Sequence, residues 1–125
     1  MGGERLARVS LVLDGVYCLI VGSLLVALRV HAGGLLRVPA LVVAAAGVAT
    51  VGWAVTLFGQ GARIDWRTGI KQVLTANALA AVALAVAAAL HPVRGARILL
   101  GFVSLDVVAF AVAQGISLIR GRSPR

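Results

Sequence analysis

Six side chains able to carry or bind charge sit inside otherwise apolar runs: Asp14 and Tyr17 in the first, Thr56 in the second, Asn77 in the third, and Asp106 and Gln114 in the last. A carboxyl group embedded among Leu, Val and Ala costs roughly 2.5–3.5 kcal/mol on insertion scales, and normally faces a bundle interior or water. Such a group exchanges a proton when water or a cation reaches it. Asp14 and Asp106 are therefore the leading candidates for handling protons or a small cationic or polar ligand. The amides of Asn77 and Gln114 and the hydroxyls of Thr56 and Tyr17 can supply the accompanying hydrogen bonds.

Helical spacing groups these residues with neighbours. Ser10, Asp14, Tyr17 and Val21 share one face, with Cys18 beside it, so Tyr17 is placed to donate to Asp14 along its own helix. Ile70, Val73, Asn77, Ala81, Leu84 and Ala88 form a second face, on which Asn77 can also act simply as interhelical glue. Phe102, Asp106, Phe110, Ala113 and Ser117 form a third. By depth, Asp14, Asn77, Thr56 and Gln114 are expected in one polar layer toward the same membrane surface, with Asp106 deeper and suited to a proton relay. Asp14 lies close enough to the surface to pair instead with Arg8 or another terminal arginine. Trp53, Thr56 and Gln60 share a face that core packing and interface anchoring explain.

Covalent chemistry has few candidates. His31 and His91 fall between apolar runs with no Cys, Asp or Glu close by in sequence, no serine has a histidine partner within a run, and no glycine-rich phosphate loop occurs. Cys18 is the only cysteine, which excludes an internal disulfide and paired-thiol redox chemistry and suggests a buried small hydrophobe. No enzyme activity, cofactor or metal site is expected. The net charge of +8 comes from arginines at the ends of apolar runs rather than from a basic face, which points to topology signals and lipid headgroups, not nucleic acid.

The elements that must position these residues follow from the same runs. With 61% hydrophobic and 13% charged residues, the chain is far from the ~25% charged content of soluble domains. A helix needs about 20 apolar residues to cross a bilayer. Four runs satisfy this, at about 9–28, 39–59, 70–90 and 98–119, and with their links they form a single integral membrane domain over 1–125. Val30-His31-Ala32 resembles a signal cleavage site, but the first run is too long for a signal core and Asp14 interrupts it, so an uncleaved span is expected.

The links are read as follows. Residues 29–37, with two glycines, connect the first two spans, and Pro39 opens the second. The polar segment 60–71 is the longest link, with Trp66 suited to the interface and Asp65 to capping the next helix. His91-Pro92 ends the third span, and the basic tail 120–125 is expected to be disordered.

Short links make consecutive helices antiparallel neighbours, giving an all-α, four-helix transmembrane bundle with up-down topology. Arg5, Arg8, Arg63, Arg67, Lys71, Arg120, Arg122 and Arg125 fall on one side and Arg29, Arg37, Arg94 and Arg97 on the other. The richer side should be cytoplasmic, which places both termini inside and makes the chain a multi-pass protein of the inner (plasma) membrane. The expected partners are the lipid bilayer and either further copies of the chain, as a homo-oligomer, or a larger membrane protein, because the Ala-rich third span offers a surface for another helix. A non-catalytic accessory or scaffold subunit is the alternative to a binding or transport role.

Four spans and an acidic residue early in the first resemble the small multidrug resistance transporters, in which a first-helix glutamate exchanges protons for cationic drugs; Asp14 would hold that position. The chain departs from them in having Asp, a second embedded acid at Asp106, a clear positive bias and no aromatic-rich substrate face. Leu13-Asp14-Gly15, the Gly-Gly-Leu-Leu link followed by Pro39, and Thr75-Ala76-Asn77-Ala78 are similar to small uncharacterised four-span membrane proteins common in actinobacteria, a likeness that brings no known activity.

Overall fold

The computed structural model describes residues 2–62 and 65–121. Among them the chain is all helix and connection: α1 (Gly3–Ala27), α2 (Arg29–Leu36), α3 (Ala40–Gly61), α4 (Trp66–Leu90) and α5 (Arg94–Arg120). The four longer helices have 22 to 27 residues, about 33–40 Å at the helical rise, against a hydrocarbon core of about 30 Å. All four are long and apolar enough to cross a membrane. Leu41 and Leu90 are 79% and 78% exposed amid a largely apolar exterior, which is costly in water and favourable in lipid. This is the construction of a small polytopic membrane protein.

Each helix extends past the apolar run that announces it. Hydropathy marks only the hydrocarbon slab, whereas backbone hydrogen bonding continues until a cap stops it. At α4 that cap is Asp65, whose carboxylate accepts from the Thr68 amide at 3.4 Å and from the Thr68 hydroxyl at 2.6 Å. The helix thus opens four residues before the expected Ile70, and the link preceding it is shorter than the sequence implies.

The helices pack up-down. The α1–α3 and α4–α5 hairpins make the broadest contacts, and α1 against α5 joins them. The α1–α3 hairpin closes where Gly22 and Gly47 face each other. A Cβ on either would lie 2.7 Å from the other's carbonyl oxygen, so only glycine permits this crossing. The buried core, Ala7, Leu11, Leu57, Ile70 and Val73, occupies the half of the bundle that holds the start of α1 and the end of α5. Cys18, Trp53, Trp66 and Leu118 pack against it.

The segment expected as an irregular link, 29–37, is instead largely the short helix α2. Leu28 breaks the path (φ −105°, ψ 22°), and Arg37 ends α2 in the left-handed conformation (φ 57°), with the Val38 amide bonded to the Gly33 carbonyl at 3.0 Å. Two glycines weigh against a helix here by about 1 kcal/mol each. Tertiary contacts outweigh that: Gly33 is buried against the Val38 and Ala40 backbone, and a His91 Nε2 to Leu36 carbonyl contact of 2.9 Å ties α2 to the α4–α5 turn. The expected disorder beyond Gly121 and the topology signals Arg63, Arg122 and Arg125 lie outside the described residues.

Candidate functional site

The buried polar centre is built by three helices. Periodicity turns Asp14 of α1, Asn77 of α4 and Gln114 of α5 inward, where they are 3%, 6% and 0% exposed. The Asn77 Nδ2 group donates to Asp14 Oδ2 at 2.7 Å, and the Gln114 Nε2 group donates to the same oxygen at 3.1 Å. Asn77 Nδ2 also donates to Gln114 Oε1 at 3.0 Å, closing a triangle. The Cys18 thiol, one turn along α1, approaches Asp14 Oδ1 at 3.5 Å. Cys18 is thus a weak donor to the carboxylate as well as the small packing residue its position suggested.

The surroundings of this triangle are held by hydrogen bonds within helices. Ser117 Oγ donates to the Gln114 carbonyl at 2.6 Å and Ser10 Oγ to the Ala7 carbonyl at 2.9 Å. Among the described residues, no buried side-chain nitrogen or oxygen lacks a partner. Arg8, the nearest basic candidate for Asp14, turns elsewhere: its guanidinium bonds Glu4 at 2.9 Å and the Gly61 carbonyl at 2.6 Å. The donors on Asp14 are amides and a thiol.

Asp106 is placed differently from its expected position. It lies at the midpoint of α5, as its depth predicted, but on the outside of the bundle, exposed, beside α1. Tyr17 serves Asp106 rather than Asp14, its hydroxyl donating to Asp106 Oδ2 at 2.8 Å. The Tyr17 ring leans on Phe110, with centroids 5.5 Å apart and planes at 56°. The reason lies in helix geometry: residues three apart diverge by about 60° around the axis, so α1 directs Asp14 to the core and Tyr17 to the α1–α5 seam.

Thr56 does not join the polar layer. It is exposed, and its hydroxyl returns to the Gly52 carbonyl of its own helix at 3.2 Å. Gln60 donates instead to Gln72 Oε1 at 3.2 Å, bridging α3 and α4 near the end of the bundle. Sequence reasoning missed Ser104, which is buried and donates to the Ala81 carbonyl at 2.9 Å, crossing from α5 to α4. The available signal was a serine in an apolar run opposite a small-residue helix face.

Among the described residues, no three His, Cys, Asp or Glu side chains converge on a point. The Asp14 triangle is a set of hydrogen bonds between three helices. Oδ2 accepts two N–H bonds in this arrangement; a proton added there would turn an acceptor into a donor and displace an amide. Both amide donors reach Asp14 from other helices, so this carboxyl ties α1 to α4 and α5. Compared with models of protein families, with curated proteins and with solved structures, the chain matches none.

Proposed function

We propose that this polytopic membrane protein is of binding or transport type, and that its embedded carboxylates handle protons or a small cationic or polar ligand. The observation that carries this reading is Asp14, a buried carboxyl held by one amide from each of two other helices. Protonation alters its bonding pattern and hence how three helices meet. Asp14 is the proton-binding group, Asn77 and Gln114 orient it, and no covalent chemistry is involved. In this reading both termini are cytoplasmic, on the side richer in arginine, and the protein resides in the inner membrane as a homo-oligomer or beside a larger protein.

The test is proton movement in proteoliposomes carrying an internal pH-sensitive dye under an imposed membrane potential. Wild type should acidify or alkalinise the lumen faster than empty vesicles, and Asp14→Asn should abolish that difference while eluting as wild type does. Equal rates for wild type and empty vesicles would refute a proton-handling role. A second reading, a non-catalytic accessory or scaffold subunit, is favoured by the full hydrogen bonding of the triangle, which equally suits a lock between helices. It predicts that Asp14→Asn chiefly impairs assembly.

A further inference from the structure

The end of the bundle that carries the α4–α5 turn gathers positive charge that the chain does not offset. Arg29, Arg37, Arg94 and Arg97 lie there, with His31 and His91. The chain has four acidic residues: Glu4 and Asp65 stand at the opposite end, and Asp14 and Asp106 lie along the bundle. Arg29 turns back to the Val26 carbonyl at 2.9 Å, whereas Arg94 and Arg97 are exposed and have no hydrogen bond or ion pair among the described residues. The two lie three residues apart on α5, hence side by side on the helix surface, where like charges repel. Val93, which opens α5, supplies no side-chain cap, so the positive end of the helix dipole adds to them.

Both arginines border the head of a shallow trough on the outside of the α4–α5 hairpin. Ala85 and Ala88 of α4 and Gly101 and Phe102 of α5 line its continuation, which holds about 500 Å³ open to the bilayer. From Arg97 the trough follows α5 as far as Ser104 and beyond, two turns or about 10 Å into the membrane. Ser104 spends its hydroxyl on the Ala81 carbonyl at 2.9 Å, so the lining is apolar in effect. Charge at the mouth and hydrocarbon below is the pattern of a phospholipid: guanidinium groups hold a phosphate through paired N–H donors, and an acyl chain fills an apolar groove. With no acid at this end, the two arginines favour a headgroup of net negative charge over a zwitterionic one. We infer that the α4–α5 trough binds one anionic phospholipid, its phosphate between Arg94 and Arg97 and one acyl chain against Ala85, Ala88 and Gly101. The site stands apart from the Asp14 triangle and does not rest on the binding and transport reading.

The test uses the full chain in detergent micelles, with native mass spectrometry following the first bound lipid as phosphatidylglycerol or phosphatidylcholine of the same acyl chains is added. Wild type should bind phosphatidylglycerol at least about fivefold more tightly. Arg94→Gln and Arg97→Gln should each weaken phosphatidylglycerol by about fivefold, the worth of one basic group beside an anionic headgroup, and leave phosphatidylcholine unchanged. Gly101→Leu should weaken both lipids severalfold by filling the trough; a Cβ at 101 meets nothing within 4 Å, so the bundle has room for it. Lys71→Gln, which removes one charge at the opposite end, should leave binding of the first lipid as it is. Equal wild-type affinity for the two lipids, or a preference that survives in the Arg94→Gln/Arg97→Gln double variant, would overturn the proposal. So would unchanged binding in Gly101→Leu, displacement of phosphatidylglycerol by inorganic phosphate beyond a sodium chloride control of equal ionic strength, or a dimer that Gly101→Leu splits. These outcomes would respectively leave only surface charge, make the arginines a site for the free anion, and give the trough to a second copy of the chain.

Discussion

Replacing Asn77 by Leu tests whether the buried triangle is the structural and chemical centre of the bundle. The substitution keeps the branched side-chain framework, with somewhat larger methyl groups, and removes two donated hydrogen bonds, to Asp14 Oδ2 at 2.7 Å and to Gln114 Oε1 at 3.0 Å. Hydrogen bonds between membrane helices are worth about 0.6 kcal/mol on average and up to about 1.7. A bond to a charged acceptor is worth about 1.5–3 kcal/mol. With both acceptors left under-bonded at sites 3% and 0% exposed, the expected loss is about 2–4 kcal/mol. The loss should be coupled: in a cycle with Asp14→Leu, the double variant should be more stable than the sum of the single changes by about 1–2 kcal/mol. Replacing Asp14, Asn77 and Gln114 together by apolar residues should restore much of the stability, because no buried polar group is then stranded. The assay is SDS-driven unfolding in bicelles followed by tryptophan fluorescence; Trp53 and Trp66 both pack on the adjoining core. A loss below about 0.5 kcal/mol for Asn77→Leu, or strictly additive single effects, would refute the argument that this triangle is buried and tightly bonded.

Other sites give sharper contrasts. Gly22→Val should destabilise the α1–α3 hairpin by about 1–3 kcal/mol, because a Cβ would press on the Gly47 carbonyl at 2.7 Å, whereas Gly52→Ala, with nothing within 4 Å, should be neutral or stabilising by up to about 1 kcal/mol in the same unfolding assay. His91→Ala should release α2 without unfolding the bundle: it removes the contact to the Leu36 carbonyl at 2.9 Å and the bond from the Val93 amide at 3.1 Å, so amide exchange over Arg29–Leu36 should rise severalfold while exchange in α1 and α3 stays unchanged.

The bundle was legible because lipid imposes few solutions: four long apolar runs with short links leave little choice but antiparallel helices. Asp14, Asn77 and Gln114 were legible as residues of common depth that could meet, but the face read for α5 held Asp106 and Ser117 and left out Gln114, which the structure turns inward. Thr56 was misplaced by the same depth argument, because a threonine can satisfy its hydroxyl on its own helix and then needs no partner. The helix α2 was hidden because its order comes from contacts distant in sequence, Gly33 against Ala40 and Leu36 against His91. The partner of Tyr17 was hidden for a related reason. Spacing along α1 offers Asp14, but the rotation of α1 against α5 decides, and single-helix periodicity carries no information on that angle.

The contrast between the two carboxyls bears on how the protein works. Asp14 and Asp106 are the same residue type at membrane depth, yet the chain surrounds one with three donors from three helices and gives the other a single tyrosine hydroxyl. In the proposed reading, a change of state at Asp14 breaks an amide bond from α4 or α5 and so alters how those helices meet α1. Asp106, exposed on the outside of the bundle with one bond from Tyr17, can exchange that partner with little rearrangement of the helices. Tyr17 and Asp14 lie three residues apart on α1, less than one helical turn. The Tyr17–Asp106 and Gln114–Asp14 bonds both join α1 to α5, so the two carboxyls share one helix seam. If the two sites communicate, Tyr17→Phe should alter the proton response at Asp14 while leaving the buried triangle intact; an unchanged proton response would show that the two carboxyls work independently.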